Sequence, residues 1–393
     1  MVKISFNIDT VTIILGSMTL LIAIIASIVN PFLWTYQRKS KTDEDGGSSE
    51  AEGSALPGIS IILTTHDDAE VLQHNLPHFL TQDYPDYQVI VVSEQGQGET
   101  EEILKRMKAN YGDRLYYTLI PESSRYMSRK KLQITLGVKA AKHEWILLSD
   151  PSCCPQSDHW LATMARGCHR GNHVVMGPVL FDEETPTGRR FEHILTAEDL
   201  LHAASQGRAW RTNMQNICFH KDEFLQQEGF RGNLQLIRGE YDFIINKYSQ
   251  GDDTAVIDDE KSILIERAPS DKTWHNRHLF LRASMPLLRN HWRLRLWHYA
   301  TNGFLYLSIF MSLGSIIFAA ITQRWILLTV AVIALLILFL VRLYTGRKAI
   351  RQWDDSISTI AIPFHELALM WKGIGNTFRY CFADKNDFTS HKL

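Results

Sequence analysis

The sequence predicts an α/β protein: a doubly wound, mainly parallel sheet with helices on both faces, joined to three transmembrane helices. Two observations predict it. From Pro57 to Asp150 short apolar runs alternate with segments of helical spacing, the pattern of strands linked by crossover helices. Outside that region lie three apolar runs long enough to cross a bilayer. The formal charge of the 393 residues is -2, which points to no nucleic acid or other polyanionic partner.

The first apolar run, "VTIILGSMTLLIAIIASIVNPFLW" from Val11 to Trp34, contains no charged residue. It is too long for a cleaved signal peptide and lacks a small-residue cleavage site, so residues 1–36 are expected to form an N-terminal transmembrane helix. Residues 37–56 include "KSKTDEDGGSSEAEGSA", which is polar, small and acidic, and reads as a flexible linker.

The globular domain is expected over residues 57–280. "GISIILTTH" is a buried strand, "EVLQHNLPHFLTQ" a helix, "YQVIVVSE" a second strand and "TEEILKRMKANYG" a second helix. "LYYTLIP" is a third strand, "SRKKLQITLGVKAAK" a helix with apolar positions at Leu132, Leu136 and Val138, and "EWILLSD" a fourth strand. Open parallel sheets bind ligands at the carboxyl ends of their strands. The polar groups there are Thr64, Thr65, His66 and Asp67, then Ser93 and Glu94, then Asp150 and Ser152.

Residues 281–300, with "SMPLLRNHWRLRLWHYA", mix Trp, Leu and Arg as an interfacial amphipathic helix does. Residues 301–343 hold the runs Phe304–Ile321 and Trp325–Val341, separated only by "TQR", a membrane hairpin. Residues 344–393 are a tail containing a further amphipathic helix. The basic flanks "YQRKSK", "RNHWRLRLW" and "VRLYTGRKAIR" fall on one side of three spans, which places the globular domain and tail in the cytoplasm of a bacterial-type inner membrane. Cys153, Cys154, Cys168, Cys218 and Cys381 show no CxxC pair and no zinc spacing, in keeping with a reducing compartment. A Rossmann oxidoreductase is set aside, because no GxGxxG follows a strand and "GQGET" is too short and misplaced.

The order of these segments resembles the membrane-bound family 2 glycosyltransferases, whose catalytic domain has the GT-A fold. The resemblance covers roughly Gly58 to Trp274 and rests on several weak motifs in the family's order. "ISIILTTHDDAEVLQHNL" is similar to the strand and loop bordering the nucleotide, with Thr65 and His66 at the turn. The acidic residue that holds the nucleoside falls on Glu94, where the bland alternative is a solvated strand-end carboxylate. The basic pair that opens a helix falls on Lys130 and Lys131. Lysines there work against the helix dipole, which favours an anionic partner.

The family's Asp-x-Asp metal motif falls on Asp150, Pro151 and Ser152, so a divalent Mg or Mn ion would meet Asp150 and only a hydroxyl at Ser152. Asp158 is a second carboxylate nearby, read as the N-cap of "HWLATMARG". The acceptor-side acidic motif lands on Gly239, Glu240, Tyr241 and Asp242. The resemblance makes Asp242 the first choice and Glu240 the second for the base that deprotonates the acceptor; an acidic start to the helix "YDFIINKYSQ" is the structural alternative. The Gln-x-x-Arg cluster expected after "KTW" falls on Phe280 and Ala283, with Arg277 and Arg282 displaced from its positions.

The resemblance therefore implies an inverting transferase. It would move a sugar from a nucleotide-sugar, with UDP as the expected nucleotide, to a lipid-linked or glycan acceptor among membrane lipids. The alternative is a degenerate transferase domain kept as a binding or scaffolding subunit of a glycan-synthesis complex.

Overall fold

The computed structural model describes residues 9–36, 38, 56–66, 69–96, 98–121, 128–249, 251, 253–289 and 292–389. The expected linker, apart from Arg38 and Leu56, lies outside the described residues, as do Asp67 and the side chains of residues 293–295 on which the amphipathic reading partly rests. The chain divides into two compact units, residues 1–36 with 290–373 and residues 37–289 with 374–393.

In the first unit, three helices are long and apolar enough to cross a membrane: Thr10–Ile28, Leu296–Thr322 and Trp325–Arg351. Leu296–Thr322 belongs to a continuous helix that begins at Trp292, so residues 292–300 are not a separate element. Each of the three helices packs on the other two. The buried positions of the first are Thr12, Gly16, Thr19, Ala23 and Ala26, small residues three or four apart, with Ser27 beside the last. That spacing forms one stripe and lets helix backbones approach closely. Thr19 Oγ1 and Ser315 Oγ share a hydrogen bond of 2.9 Å across this seam.

The first helix stops at Ile28, short of the expected Trp34. Pro31 disfavours helical backbone at Asn30, whose side chain instead caps the turn Pro31–Leu33. Arg342, counted among the basic flanks, is 2% exposed; it pairs with the buried Glu366 and donates to Ala26 O at 3.0 Å.

The second unit is built on a seven-stranded sheet. In chain order the strands are β1 (Ile59–Thr64), β2 (Tyr87–Glu94), β3 (Leu115–Ile120), β4 (Trp145–Ser149), β5 (Cys153–Pro155), β6 (Val174–Met176), β7 (Val179–Phe181), β8 (Asn216–His220), β9 (Thr254–Val256) and β10 (Leu264–Glu266). The large sheet has the order β3-β2-β1-β4-β8-β6-β9. Pairs β1–β2, β1–β4, β2–β3 and β6–β9 are parallel, and β8 runs antiparallel to β4 and β6. Strands β1, β2 and β4 are buried along their whole length, which is why their centres read as Ile, Val and Leu without polar alternation.

From β1 the chain winds outward to β2 and β3, then returns to place β4 on the other side of β1. The crevice at that reversal is where open sheets bind ligands. Register brings Leu63 level with Ser149 and Thr64 level with Val92, so the ends of β1, β2 and β4 form one rim.

The helix Arg129–Ala140 turns Ile134, Gly137 and Val138 inward with Lys131 and Gln133, whereas Leu132 and Leu136 are only half-buried. Gly137 sets this face. A Cβ there would lie 2.8 Å from Ile62 Cγ2, so only glycine lets the helix settle onto β1. The short helix Trp160–Ala165 is capped at His159; Asp158, expected as its cap, does not fill that position. A three-stranded sheet, β5-β10-β7, carries Glu266 to the rim.

Candidate functional site

At the rim of β1, β2 and β4 a cleft of about 1520 Å³ is lined by Glu94, Asp150 and Asp242 together, with Thr64, His66, Ser152 and Glu240. The residues that sequence placed on separate segments thus border one cavity, though not all of them reach it.

Glu94 ends β2, and its carboxylate is 7% exposed. Arg129 Nη1 donates to Oε2 at 2.7 Å, and His66 Nδ1 lies 3.1 Å from Oε1. Thr65 is fully buried and does not line the cleft: its N–H donates to Val92 O, and its carbonyl accepts from Gln133 Nε2. Thr64 takes its place there. Its hydroxyl is buried with no partner.

Lys131 is likewise turned away. Its ammonium, fully buried, donates to Asn233 O, Asn233 Oδ1 and Leu236 O, which ties the loop before Gly239 to the helix. Burial pulls its pKa down to about 8. The lysine that meets the cleft is Lys130, whose Nζ lies 2.6 Å from Asp150 Oδ2. Adjacent helical positions point about 100° apart, so one of the two lysines had to leave the cleft.

The other Asp150 oxygen accepts from Ser152 N at 3.1 Å and Ser152 Oγ at 2.8 Å. Burial raises the Asp150 carboxyl, yet the Lys130 charge and these hydrogen bonds outweigh it and hold the pKa at about 2. Burial also opposes the Lys130 ammonium, and Asp150 and Glu240 outweigh it, raising its pKa.

The helix Glu240–Tyr248 follows Gly239, whose φ of 94° is in the left-handed region. That turn delivers Glu240, Tyr241 and Asp242 to the cleft in one helical turn. Asp242 Oδ1 accepts from Thr212 N at 3.1 Å. Burial pushes its carboxyl up to about 6, against Arg211 and the Thr212 amide, with Glu240 adding to the rise. Glu240 is 4% exposed, and its Oε1 has no hydrogen-bond partner. Tyr241 donates to Ser149 O at 3.0 Å, under the Lys130 ammonium 5.3 Å from its ring.

The opposite wall comes from the helix Asp271–Ser284. Arg277, displaced in sequence from the expected arginine position, lines the cleft and pairs through both guanidinium nitrogens with Glu266. Phe280 stands where the glutamine was expected, with Arg238 over its ring at 5.7 Å. His278 bonds Glu192 at 2.6 Å beside Trp274. Sequence reasoning missed Arg129, Arg211, Arg238 and Glu266. Arg129 adjoins the basic pair, and Arg238 adjoins the acidic motif, so proximity was the available signal.

A divalent cation takes hard oxygen ligands, of which substrate phosphates and water can supply most beside one or two carboxylates. Among the described residues, no three His, Cys, Asp or Glu side chains gather to hold one. Only one carboxylate thus stands where the Mg or Mn ion was expected, and in this structure its oxygens are taken by Lys130 and Ser152.

Residues 18–229 match the model of glycosyl transferase family 21. Among solved structures, the mannosyltransferase PcManGT from Pyrobaculum calidifontis, in complex with GDP-Man and Mn2+, aligns at a TM-score of 0.50 and 14% identity, covering 95% of this chain and 98% of that chain. TarS 1-349 from S. aureus, in complex with UDP-GlcNAc, aligns at a TM-score of 0.41 and 13% identity, covering 75% of this chain and 89% of that chain. The first likeness concerns the fold alone. No curated protein sequence matches this chain.

Proposed function

We propose, from the premise that this chain belongs to glycosyl transferase family 21, that it moves a sugar from a nucleotide-sugar to a lipid-linked or glycan acceptor with inversion. Membership makes it a glycosyltransferase; the donor, acceptor and stereochemistry are our reading, as are the GT-A fold and the family 2 type. The observation that carries it is the convergence of Glu94, Asp150 and Asp242 on one cleft at the sheet's switch point.

In this reading the nucleoside lies against Glu94 and His66, and the diphosphate against the start of the helix Arg129–Ala140, where free amides and Lys130 offer positive charge. Asp242 accepts the acceptor hydroxyl's proton as the oxygen attacks the anomeric carbon. Its raised pKa suits a base working near neutral pH. Glu240 is the second choice. UDP is the expected nucleotide, and GDP is a natural competitor to test. The three apolar helices support a membrane protein, and the basic flanks favour a cytoplasmic cleft beside a lipid-anchored acceptor.

The test is release of nucleoside diphosphate from UDP- and GDP-sugars by the full chain in lipid vesicles, with and without a lipid extract as acceptor. Acceptor-stimulated release that Asp242→Asn abolishes supports the reading; no release from any donor would sink it. A second reading, an inactive binding subunit, is favoured by the internal engagement of both Asp150 oxygens. Nucleotide binding without turnover would select it.

A further inference from the structure

We infer that Lys130, pinned by Asp150, is a built-in counter-charge for the donor's diphosphate, so that nucleotide binding needs no divalent cation. The inference rests on the donor reading above and deepens it.

Three observations carry it. First, the Lys130 ammonium sits 2.6 Å from Asp150 Oδ2, where a metal ion would have to bind, and a cation entering there would meet that positive charge. Second, the other Asp150 oxygen is held by the Ser152 amide and hydroxyl, and Ser152 stands where a second metal-binding carboxylate would be. Asp150 thus orients a lysine instead of ligating an ion. Third, the cleft around this pair holds polar atoms without a protein partner. Thr64 and Glu240 both line it, each 4% exposed, and the Thr64 hydroxyl and Glu240 Oε1 lack a hydrogen-bond partner. Buried polar groups are ordinarily hydrogen-bonded; the unpaired Thr64 hydroxyl, a donor, suits a ligand oxygen, whereas the Glu240 carboxylate, an acceptor, suits a sugar hydroxyl.

An ammonium has three donors. One goes to Asp150, and phosphate oxygens can take the remaining donors. Arg129 and Arg238 line the same cleft, Arg129 already paired with Glu94. In the transfer, the bond from the anomeric carbon to the β-phosphate oxygen breaks and its electron pair leaves with the nucleoside diphosphate. The bond to the acceptor oxygen forms, and that oxygen's proton passes to Asp242. The charge that grows on the departing diphosphate falls to Lys130.

The test is calorimetric titration of the full chain in detergent with UDP and with GDP, in EDTA and then with Mn2+. We expect the wild type to bind one of them in EDTA within about twofold of its affinity in Mn2+. Lys130→Ala should weaken that binding by about 10- to 100-fold, the scale of a charge-assisted hydrogen bond, while Lys130→Arg stays within about fivefold. The double substitution Lys130→Ala with Ser152→Asp should restore binding only when Mn2+ is present.

Wild-type binding that vanishes in EDTA and returns with Mn2+ would overturn the inference and leave the donor reading intact. Unchanged binding by folded Lys130→Ala would also overturn it. Binding of neither nucleotide under either condition would overturn the donor reading and this inference with it. The wild-type EDTA arm decides the metal question even if Lys130→Ala fails to fold.

Discussion

Asp242 accepts a hydrogen bond from the Thr212 amide at 3.1 Å, and this contact holds a carboxylate in the cleft while burial keeps it a weak acid. The proton balance of that one group gives the first prediction. With a pKa of about 6, the base is protonated in acid. Initial rates of sugar transfer should rise about tenfold per pH unit below that value and level off above it. Asp242→Asn should lower turnover by about 10²- to 10⁴-fold and retain nucleotide binding. A profile flat from pH 4.5 to 8.5 would remove Asp242 from the role.

The same group makes stability pH-dependent. Its carboxyl pKa is raised in the folded chain, so below the ordinary value of 3.8 both folded and unfolded forms hold the proton and nothing is lost. Between about 4 and 6 the unfolded chain releases its proton first, and folding becomes less favourable. Asp242→Asn should therefore raise the Tm at pH 8, with an upper bound of about 3 kcal/mol, and leave it nearly unchanged at pH 4. An equal shift at both pH values would count against burial as the cause.

Gly137 is the point where the helix Arg129–Ala140 meets β1. An added Cβ would lie 2.8 Å from Ile62 Cγ2. Gly137→Ala gains about 1 kcal/mol of helix propensity. Overpacking costs about 1–3 kcal/mol, so the net change should be a loss. Adding Ile62→Ala should cost less than the sum of the two single losses, because the neighbours are coupled. Chemical denaturation of the four proteins provides the comparison.

Glu266 is 1% exposed and pairs with Arg277. Arg277→Met should destabilise the globular unit by about 3–5 kcal/mol by leaving that carboxylate buried and unpaired. Replacing both by methionine should recover much of the loss. If the single and double variants melt alike below the wild type, the unpaired carboxylate is not the cause of the loss.

Orientation can be read from thiols. Cys381 is exposed, whereas Cys153, Cys168 and Cys218 are buried. In a Cys154→Ser background, a membrane-impermeant maleimide should label Cys381 in inside-out vesicles and not in intact cells. Labelling in intact cells would reverse the proposed orientation.

Much of the fold was legible because its elements announce themselves locally. β1, β2, β3 and β4 are apolar runs bounded by polar turns, and each was read to within two residues of its observed ends. Parallel strands covered on both faces carry that signal without help from distant residues. The three apolar helices were visible for the same reason, although Pro31 ended the first one early. Glu94 and Asp150 stand at strand ends, which the pattern marks, but their roles and the choice of Asp242 came from the resemblance to a family's ordered motifs.

What sequence alone determined was the order of elements and the three long apolar helices. All of these follow from periodicity and burial within a single segment. Tertiary structure decided which lysine faces the cleft, that Thr64 lines it instead of Thr65, and that Asp150 holds Lys130 and Ser152 in place of a metal's ligand set. Those outcomes depend on helix phase, set where Gly137 meets Ile62, and on which side chains fold back from distant strands to share one carboxylate. A one-residue change of phase turns a side chain by about 100°, and no local pattern records it.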